Sequence, residues 1–81
     1  PNTIHSLNLF PNPINTQTIL SATEPITYVI LTDISGKKLT EKQLTPTNEL
    51  NFNQICPHLS SGIYFCSTNL GVIKIICTSD F

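Results

Sequence analysis

The side chains with the greatest chemical potential in this 81-residue chain are three cysteines and two histidines. Cys56 and His58 stand on either side of Pro57, and a cysteine beside a histidine is a common pairing of a thiol nucleophile with its base. Residues two positions apart across a proline are poorly placed for proton transfer, and no third residue is apparent that would orient the histidine. The acidic residues lie mostly in predicted turns or at exposed strand positions: Glu24, Asp33, Glu41, Glu49 and Asp80. The sequence therefore predicts no enzymatic activity.

The cysteines, Cys56, Cys66 and Cys77, show neither a CxxC pair nor the ligand spacing of a zinc site. An odd number of cysteines cannot form a complete disulfide framework. In the predicted last hairpin Cys66 and Cys77 are diagonal neighbours, whose Cα atoms lie about 7–8 Å apart. That distance is too long for a relaxed disulfide. We therefore expect free thiols that pack as small apolar side chains, with no metal and no cofactor.

The composition excludes several classes of function. Charged residues make up 11% of the chain and the net charge is −1, so no basic footprint for nucleic acid is present. The three glycines are scattered, which excludes a phosphate-binding glycine loop. A spanning helix needs about 18 or more consecutive apolar residues, and no such run occurs. A chain that begins at Pro1, with no Met and no signal peptide, is expected to be one small domain cut from a longer protein.

Short runs of alternating polarity, separated by turn residues, indicate an all-β sandwich. They predict seven strands, at residues 6–10, 16–22, 26–33, 38–44, 49–53, 63–68 and 72–78. No helix longer than a turn or two is expected. Between the fifth and sixth strands, Pro57 excludes a central strand, and the spacing of Ile55 and Leu59 predicts a helical turn or a loop anchored by these two side chains.

The predicted turns and the last hairpin supply more detail. In "DISGKK", Asp33 is expected to bind backbone amides ahead of it, and Gly36 to adopt a positive φ. If Cys66 faces Ile75 in the last hairpin, one face is the core and Lys74 lies on the other. The core face would consist of Tyr64, Cys66, Ile73, Ile75 and Cys77.

The stretch "SLNLFPNPINTQTI" breaks the first strand with two prolines around one asparagine. Pro11 has no N–H to donate to a ladder, and Pro13 holds the preceding Asn12 in an extended conformation. The Asn12 side chain is expected to bind nearby backbone groups that the broken ladder leaves unpaired. The motif is therefore interpreted as a crossover from one sheet to the other, which needs no ligand.

Four motifs occur in order: "LNLFPNP", "LTDISGKKL", "LSSGIYF" and a short last strand that carries Lys74. Over about residues 7–76 the chain resembles the type A C-terminal sorting domain of the type IX secretion system of Bacteroidetes. The resemblance implies a small immunoglobulin-like β-sandwich of about seven strands at the C-terminus of a secreted protein. It also implies a signal for passage through the outer membrane to the cell surface or medium. The implied partners are the outer-membrane translocon and a sortase, which removes the domain or exchanges it for a surface anchor.

The resemblance also implies which residues matter. The residues that match the family motifs are Pro11, Asn12, Pro13, Asp33, Gly36, Gly62, Tyr64 and Lys74. Gly62 and Tyr64 have folding reasons of their own, since glycine permits unusual backbone geometry and a buried tyrosine needs a partner for its hydroxyl. The candidate recognition face consists of Ile63, Phe65, Ser67, Lys74 and Ile76. The chain departs from the family at its end, where Lys74 stands alone before "IICTSDF".

A carbohydrate-binding or structural β-sandwich module of a secreted enzyme is the alternative hypothesis. It rests on analogy of fold, and the Asn- and Thr-rich surface agrees with it. Sugar platforms usually need exposed aromatic rings, and the chain has no Trp. Tyr28, Tyr64 and the four Phe are expected to be needed for the core.

Overall fold

The computed structural model describes residues 6–56 and 58–78. It contains five strands and one 3-10 turn, at β1 Leu7–Phe10, β2 Ile19–Asp33, β3 Lys38–Asn51, the turn Phe52–Gln54, β4 Gly62–Thr68 and β5 Gly71–Cys77. The 3-10 turn is the only helical element of the described part, which holds no helix that could cross a membrane. The expectation of an all-β protein without a long helix is confirmed.

The five strands form one antiparallel sheet with β2 at its centre. β3 pairs with β2 along one side of β2. On the other side of β2, β1 pairs with its first residues and β4 with its last residues. β5 extends the sheet beyond β4. The sheet is curled, so that the segment after β1 reaches β5. There the Ile14 N–H donates to the Ile76 carbonyl at 2.9 Å.

Seven predicted runs become five strands because two pairs of them are continuous. Predicted strands 16–22 and 26–33 merge into β2, and predicted strands 38–44 and 49–53 merge into β3. The turn signals "ATEP" and "TPTN" lie opposite each other, and register shifts in the β2–β3 ladder occur there, on both sides of the Ile26–Thr47 pair. Bulges of this kind accommodate proline and bend a strand without ending it. The seven separate strands are therefore not confirmed.

The core lies inside the curl and contains residues from every strand except β3. Leu20, Ile26, Phe52 and Ile75 have no exposed surface. Ile55 and Leu59 are also buried, which confirms that they anchor the loop before β4. In the last hairpin the predicted core face is confirmed, with Ile73 half-buried and its other members buried: Tyr64, Cys66, Ile75 and Cys77.

The register of the last hairpin differs from the prediction by two residues. Cys66 lies opposite Ile73, not Ile75. The connection is a tight turn, since Thr68 pairs directly with Gly71 and its Oγ1 donates to the Gly71 carbonyl at 3.2 Å. A shift of two residues leaves every side chain on its predicted face, because side chains alternate along a strand.

The aromatic residues are less buried than expected. Phe10 is 78% exposed, because it follows the buried Leu9 in β1 and its side chain points to the opposite face. Tyr28 and Phe65 are half-buried, and among the aromatic residues that the structure describes only Phe52 and Tyr64 belong to the core. The predictions that involve Pro57, Asp80 and Phe81 concern residues outside the described part of the chain.

Candidate recognition surface

The "PNP" motif attaches the start of the chain to its last strand. Pro11 and Pro13, each preceded by a cis peptide bond, flank Asn12. The Asn12 Nδ2 donates to the Lys74 carbonyl, and the Asn12 Oδ1 accepts from the Ile76 N–H, both at 2.9 Å. The carboxamide therefore takes the place of a neighbouring strand residue at the edge of β5. The expectation of nearby partners is therefore wrong, because the backbone groups that Asn12 binds lie 62 and 64 residues away in the last strand.

A buried threonine that the sequence did not single out fixes the shape of this segment. Thr18 has no exposed surface. Its Oγ1 donates to the Pro11 carbonyl at 2.9 Å and accepts from the Asn15 N–H at 2.8 Å. Its carbonyl accepts from the Phe52 N–H at 2.9 Å. A signal was present in the sequence, since Asn15 and Thr18 are residue types that commonly bind nearby backbone groups in turns.

Asp33 and Gly36 form the predicted turn between β2 and β3. The Asp33 Oδ1 accepts from the Ser35 N–H at 2.9 Å, the Ser35 hydroxyl at 2.6 Å and the Lys37 N–H at 3.0 Å. These bonds, the Ser35 hydroxyl foremost, hold the pKa of the Asp33 carboxyl below its ordinary value of 3.8. Gly36 has φ of 91°, a left-handed conformation that glycine adopts without a steric penalty. Both motif residues therefore have local roles in folding.

Gly62 and Tyr64 form a second unit at the start of β4. The Tyr64 ring is 8% exposed, and its hydroxyl donates to the Ser60 carbonyl at 2.7 Å. The ring lies over Gly62, where an added Cβ would come within 3.8 Å of it. The φ of Gly62 is 154°, so a larger residue would be strained there. The hydroxyl of the buried tyrosine thus has the partner that the sequence required.

The outer face of the β4–β5 hairpin contains all five residues of the candidate recognition face. Ile63 lies opposite Ile76, Phe65 opposite Lys74, and Ser67 opposite Val72. We call these six residues the outer face. Val72 is 64% exposed and Ile63 38% exposed, Lys74 is exposed, and the other three are half-buried. Apolar side chains therefore surround one lysine on an open surface.

A second asparagine repeats the contact that Asn12 makes, at the other end of the hairpin. The Asn69 Oδ1 accepts from the Thr27 N–H at 2.9 Å, and its Nδ2 donates to the Pro25 carbonyl at 3.0 Å. These groups flank Ile26, where the β2–β3 ladder is irregular. The sequence identified Asn69 only as a turn residue, because nothing local indicates partners 42 and 44 residues away.

The three cysteines form no disulfide with one another, as predicted, and Cys66 and Cys77 are buried. Burial, together with the smaller effect of the nearby Cys77 and Cys66, raises the pKa of the Cys56 thiol to about 12. Burial likewise raises the pKa of Cys66 to about 12. Thiols that stay protonated at neutral pH are poor nucleophiles, so Cys56 is not activated by the exposed His58. Across the described residues, no group of three or more His, Cys, Asp or Glu is placed to bind a metal.

An open groove of about 540 Å³ lies between β3 and the 3-10 turn. Its apolar lining comes from Ile19, Leu44, Leu50 and Ile55, and Lys42 and Glu49 stand among the polar lining residues. No aromatic ring is among the residues that line it. The groove therefore lacks the stacking platform that the carbohydrate hypothesis requires, and Phe10 on β1 is the most exposed aromatic side chain described.

A comparison with protein families matches the chain to the secretion system C-terminal sorting domain over residues 8–77. The chain belongs to the type IX sorting-domain family. The match extends from β1 to the last residue of β5 and includes every motif residue described above. Neither the search of curated proteins nor the search of solved structures gave a match.

The sorting domain is thus a C-terminal signal of the type IX secretion system, and its family is not a catalytic one. Such a tail implies interaction with the secretion machinery and export across the outer membrane, to the cell surface or the medium. The structure brings the motif residues to two places. One is the edge of β5, where Asn12 binds, and the other is the β2–β3 turn together with the adjoining start of β4, where Asp33 pairs with Tyr64. Only Lys74 belongs to the outer face.

Proposed function

We propose that the type IX machinery recognises the sorting domain as a folded surface, and that the outer face of β4–β5 is the surface it contacts. The observation that carries the proposal is the set of apolar side chains around Lys74 that remain at the surface of a small domain. Exposed apolar patches on small proteins mark sites of protein contact. The curled sheet is consistent with the immunoglobulin-like sandwich that the resemblance implies.

The outer face has the composition that binding to a protein requires. A single exposed ion pair stabilises by only about 0–1 kcal/mol, so Lys74 alone would bind weakly. Burial of apolar surface contributes about 25 cal/mol per Å², and Ile63, Phe65, Val72 and Ile76 supply such surface. On this proposal Lys74 orients the partner and the apolar side chains provide most of the affinity.

The other motif residues act indirectly, through folding. The carboxamide atoms of Asn12, the Oδ1 atom of Asp33 and the hydroxyl of Tyr64 are already bonded within the domain. A partner that bound them would have to break those hydrogen bonds. The expected partners of the outer face are the outer-membrane translocon and then a sortase, which removes the domain or exchanges it for a surface anchor. In this scheme residues 1–81 act as one C-terminal domain of a longer secreted protein.

The test is export of a reporter that carries a signal peptide and this chain at its C-terminus, in a host with the type IX machinery. We expect export with the chain and retention in the periplasm without it. Phe65→Ser on the outer face should reduce export strongly. The same substitution at Phe10, which is exposed on β1, is the matched control and should leave export intact. Normal export of Phe65→Ser would contradict the proposed surface.

The carbohydrate-binding hypothesis makes the opposite prediction for these two variants. Its platform would be Phe10, so Phe10→Ser would abolish glycan binding and Phe65→Ser would not. A screen of the isolated domain against polysaccharides decides this, and we expect no binding. Glycan binding combined with a reporter retained in the periplasm would overturn the sorting function itself.

A further inference from the structure

The Asn12 carboxamide binds the backbone of two residues whose side chains lie on the outer face. Its Nδ2 donates to Lys74 and its Oδ1 accepts from Ile76. Ile75 lies between them, and its side chain is buried on the inner side. Asn12 therefore holds the section of β5 that displays Lys74 and Ile76.

This section of β5 has little other support on that side. Among the strands described, β5 pairs only with β4. Edge strands open locally more easily than central ones, because fewer hydrogen bonds and contacts hold them. On the opposite edge, the Lys74–Ile76 section receives two bonds from Asn12, and its Ile76 carbonyl accepts from the Ile14 N–H, within the described part of the chain. Without Asn12, the Ile76 N–H loses its partner.

We propose that Asn12 is a positioning residue for sorting: it fixes the Lys74–Ile76 section of β5 so that the outer face has one shape. The inference rests on the proposed role of the outer face. On this proposal the "PNP" motif positions the outer face for recognition, and this role is separate from any contribution to the global stability of the domain. Asn12 itself does not touch the partner.

Asn69 provides a chemically matched control for this proposal. Its carboxamide also makes one donor and one acceptor bond to backbone groups on either side of a buried isoleucine. Those groups belong to β2, far along the chain from Lys74 and Ile76. Asn69→Ala therefore removes the same chemistry as Asn12→Ala without freeing the edge of β5.

The experiment compares Asn12→Ala, Asn12→Asp and Asn69→Ala in the reporter and as isolated domains. Amide hydrogen exchange reports the protection of Ile76, and the melting temperature reports global stability. We expect the Ile76 amide to exchange about tenfold faster or more in Asn12→Ala, while amides of residues 29–32 at the centre of the sheet stay protected. Asn12→Asp keeps the acceptor but not the donor, so it should lie between the wild type and Asn12→Ala.

Two results together support the positioning role. Export of the variants falls in step with the protection of the Ile76 amide, and Asn69→Ala is exported normally although its melting temperature falls by a comparable amount. Export that follows the melting temperature in all three variants overturns it. Normal export of Asn12→Ala with rapid exchange at Ile76 also overturns it. These results are distinct from failure of the outer face itself, which Phe65→Ser reports with Asn12 intact.

Discussion

The two sides of the β4–β5 hairpin use alternate residues of the same strands for different purposes. Tyr64, Cys66 and Ile75 on the inner side are buried, and their positions are set by core packing. Phe65 and Lys74 on the outer side face each other across the ladder at the surface. The difference shows that folding constrains one side of each strand and leaves the other side available for recognition. It also explains why "G-I-Y-F" combines residues with unrelated roles.

The largest loss of stability is expected when the tyrosine on the inner side of the hairpin is removed. Tyr64→Ala deletes a buried ring and should lower the free energy of unfolding by about 3–5 kcal/mol. Domains have about 5–15 kcal/mol in total, and one this small is expected near the lower end, so the variant should be close to unfolding. Chemical denaturation followed by circular dichroism measures the change. Tyr64→Phe, which loses only the bond to the Ser60 carbonyl, should lose about 1 kcal/mol.

If Tyr64→Ala kept its melting temperature and blocked export, the division between the two sides would be wrong at this residue. Tyr64 would then take part in recognition directly. Export of Tyr64→Phe at the wild-type level is the expected companion result, because that variant keeps the buried ring.

Alkaline pH is expected to lower the stability of the domain through the thiols of Cys56 and Cys66. The pKa values of Cys56 and Cys66 are raised to about 12 in the folded domain, above their ordinary value of 9.0. Between those values only the unfolded chain loses these protons, so stability should fall as the pH rises through this window. Denaturation midpoints measured from pH 8 to 11 check this. Cys66→Ala should show a shallower decline than the wild type, and an equal slope would contradict the assignment.

Acid should act on the β2–β3 turn, whose first residue, Asp33, pairs with Tyr64 across the sheet. The pKa of Asp33 is lowered in the folded state, so its contribution to stability is complete above the ordinary pKa and is lost as the pH falls through the folded value. Asp33→Asn should be less stable than the wild type at neutral pH, and the two should converge in acid. Melting temperatures between pH 2 and 7 test this, and a constant difference would argue against the effect.

The smallest change in stability is expected on the outer side. Phe65→Ser removes a half-buried ring and should cost about 1 kcal/mol, well below the loss at Tyr64. Export, in contrast, should fall more with Phe65→Ser than with Phe10→Ser. A loss of stability as large as that of Tyr64→Ala would show that Phe65 belongs to the core and not to a recognition surface.

The sequence predicted those parts of the fold that depend on alternation and on local turn chemistry. The inner face of the last hairpin, the anchors Ile55 and Leu59, and the Asp33–Gly36 turn all follow from neighbouring residues. The merging of predicted strands did not follow, because proline at a bulge and proline in a turn look alike in a sequence. The register of the last hairpin depends on a tight turn that "TNLG" indicates only loosely.

The residues of the candidate surface were also predicted from the alternation of side chains, but the contacts that hold it in place were not. The register was wrong by two residues, and a shift of two leaves Ile63, Phe65 and Ile76 on the same side of the hairpin, so the predicted outer face is unchanged. The partners of Asn12 and Asn69 could not be predicted, since they depend on how the sheet curls. The prediction that Phe10 belongs to the core is wrong. Phe10 directly follows the buried Leu9 in a strand, so its side chain points to the opposite face, whatever its size.

The edge strands β3 and β5 of the curled sheet have a consequence for self-association. Bare strand edges are templates on which copies of a protein add to one another. The segment that follows β1 covers part of the edge of β5, and the edge strand β3 carries Lys38, Glu41, Lys42 and Pro46 among its residues. Charges and proline on an edge strand discourage pairing between copies. Association of copies through β3, or through the covered part of β5, should therefore be disfavoured.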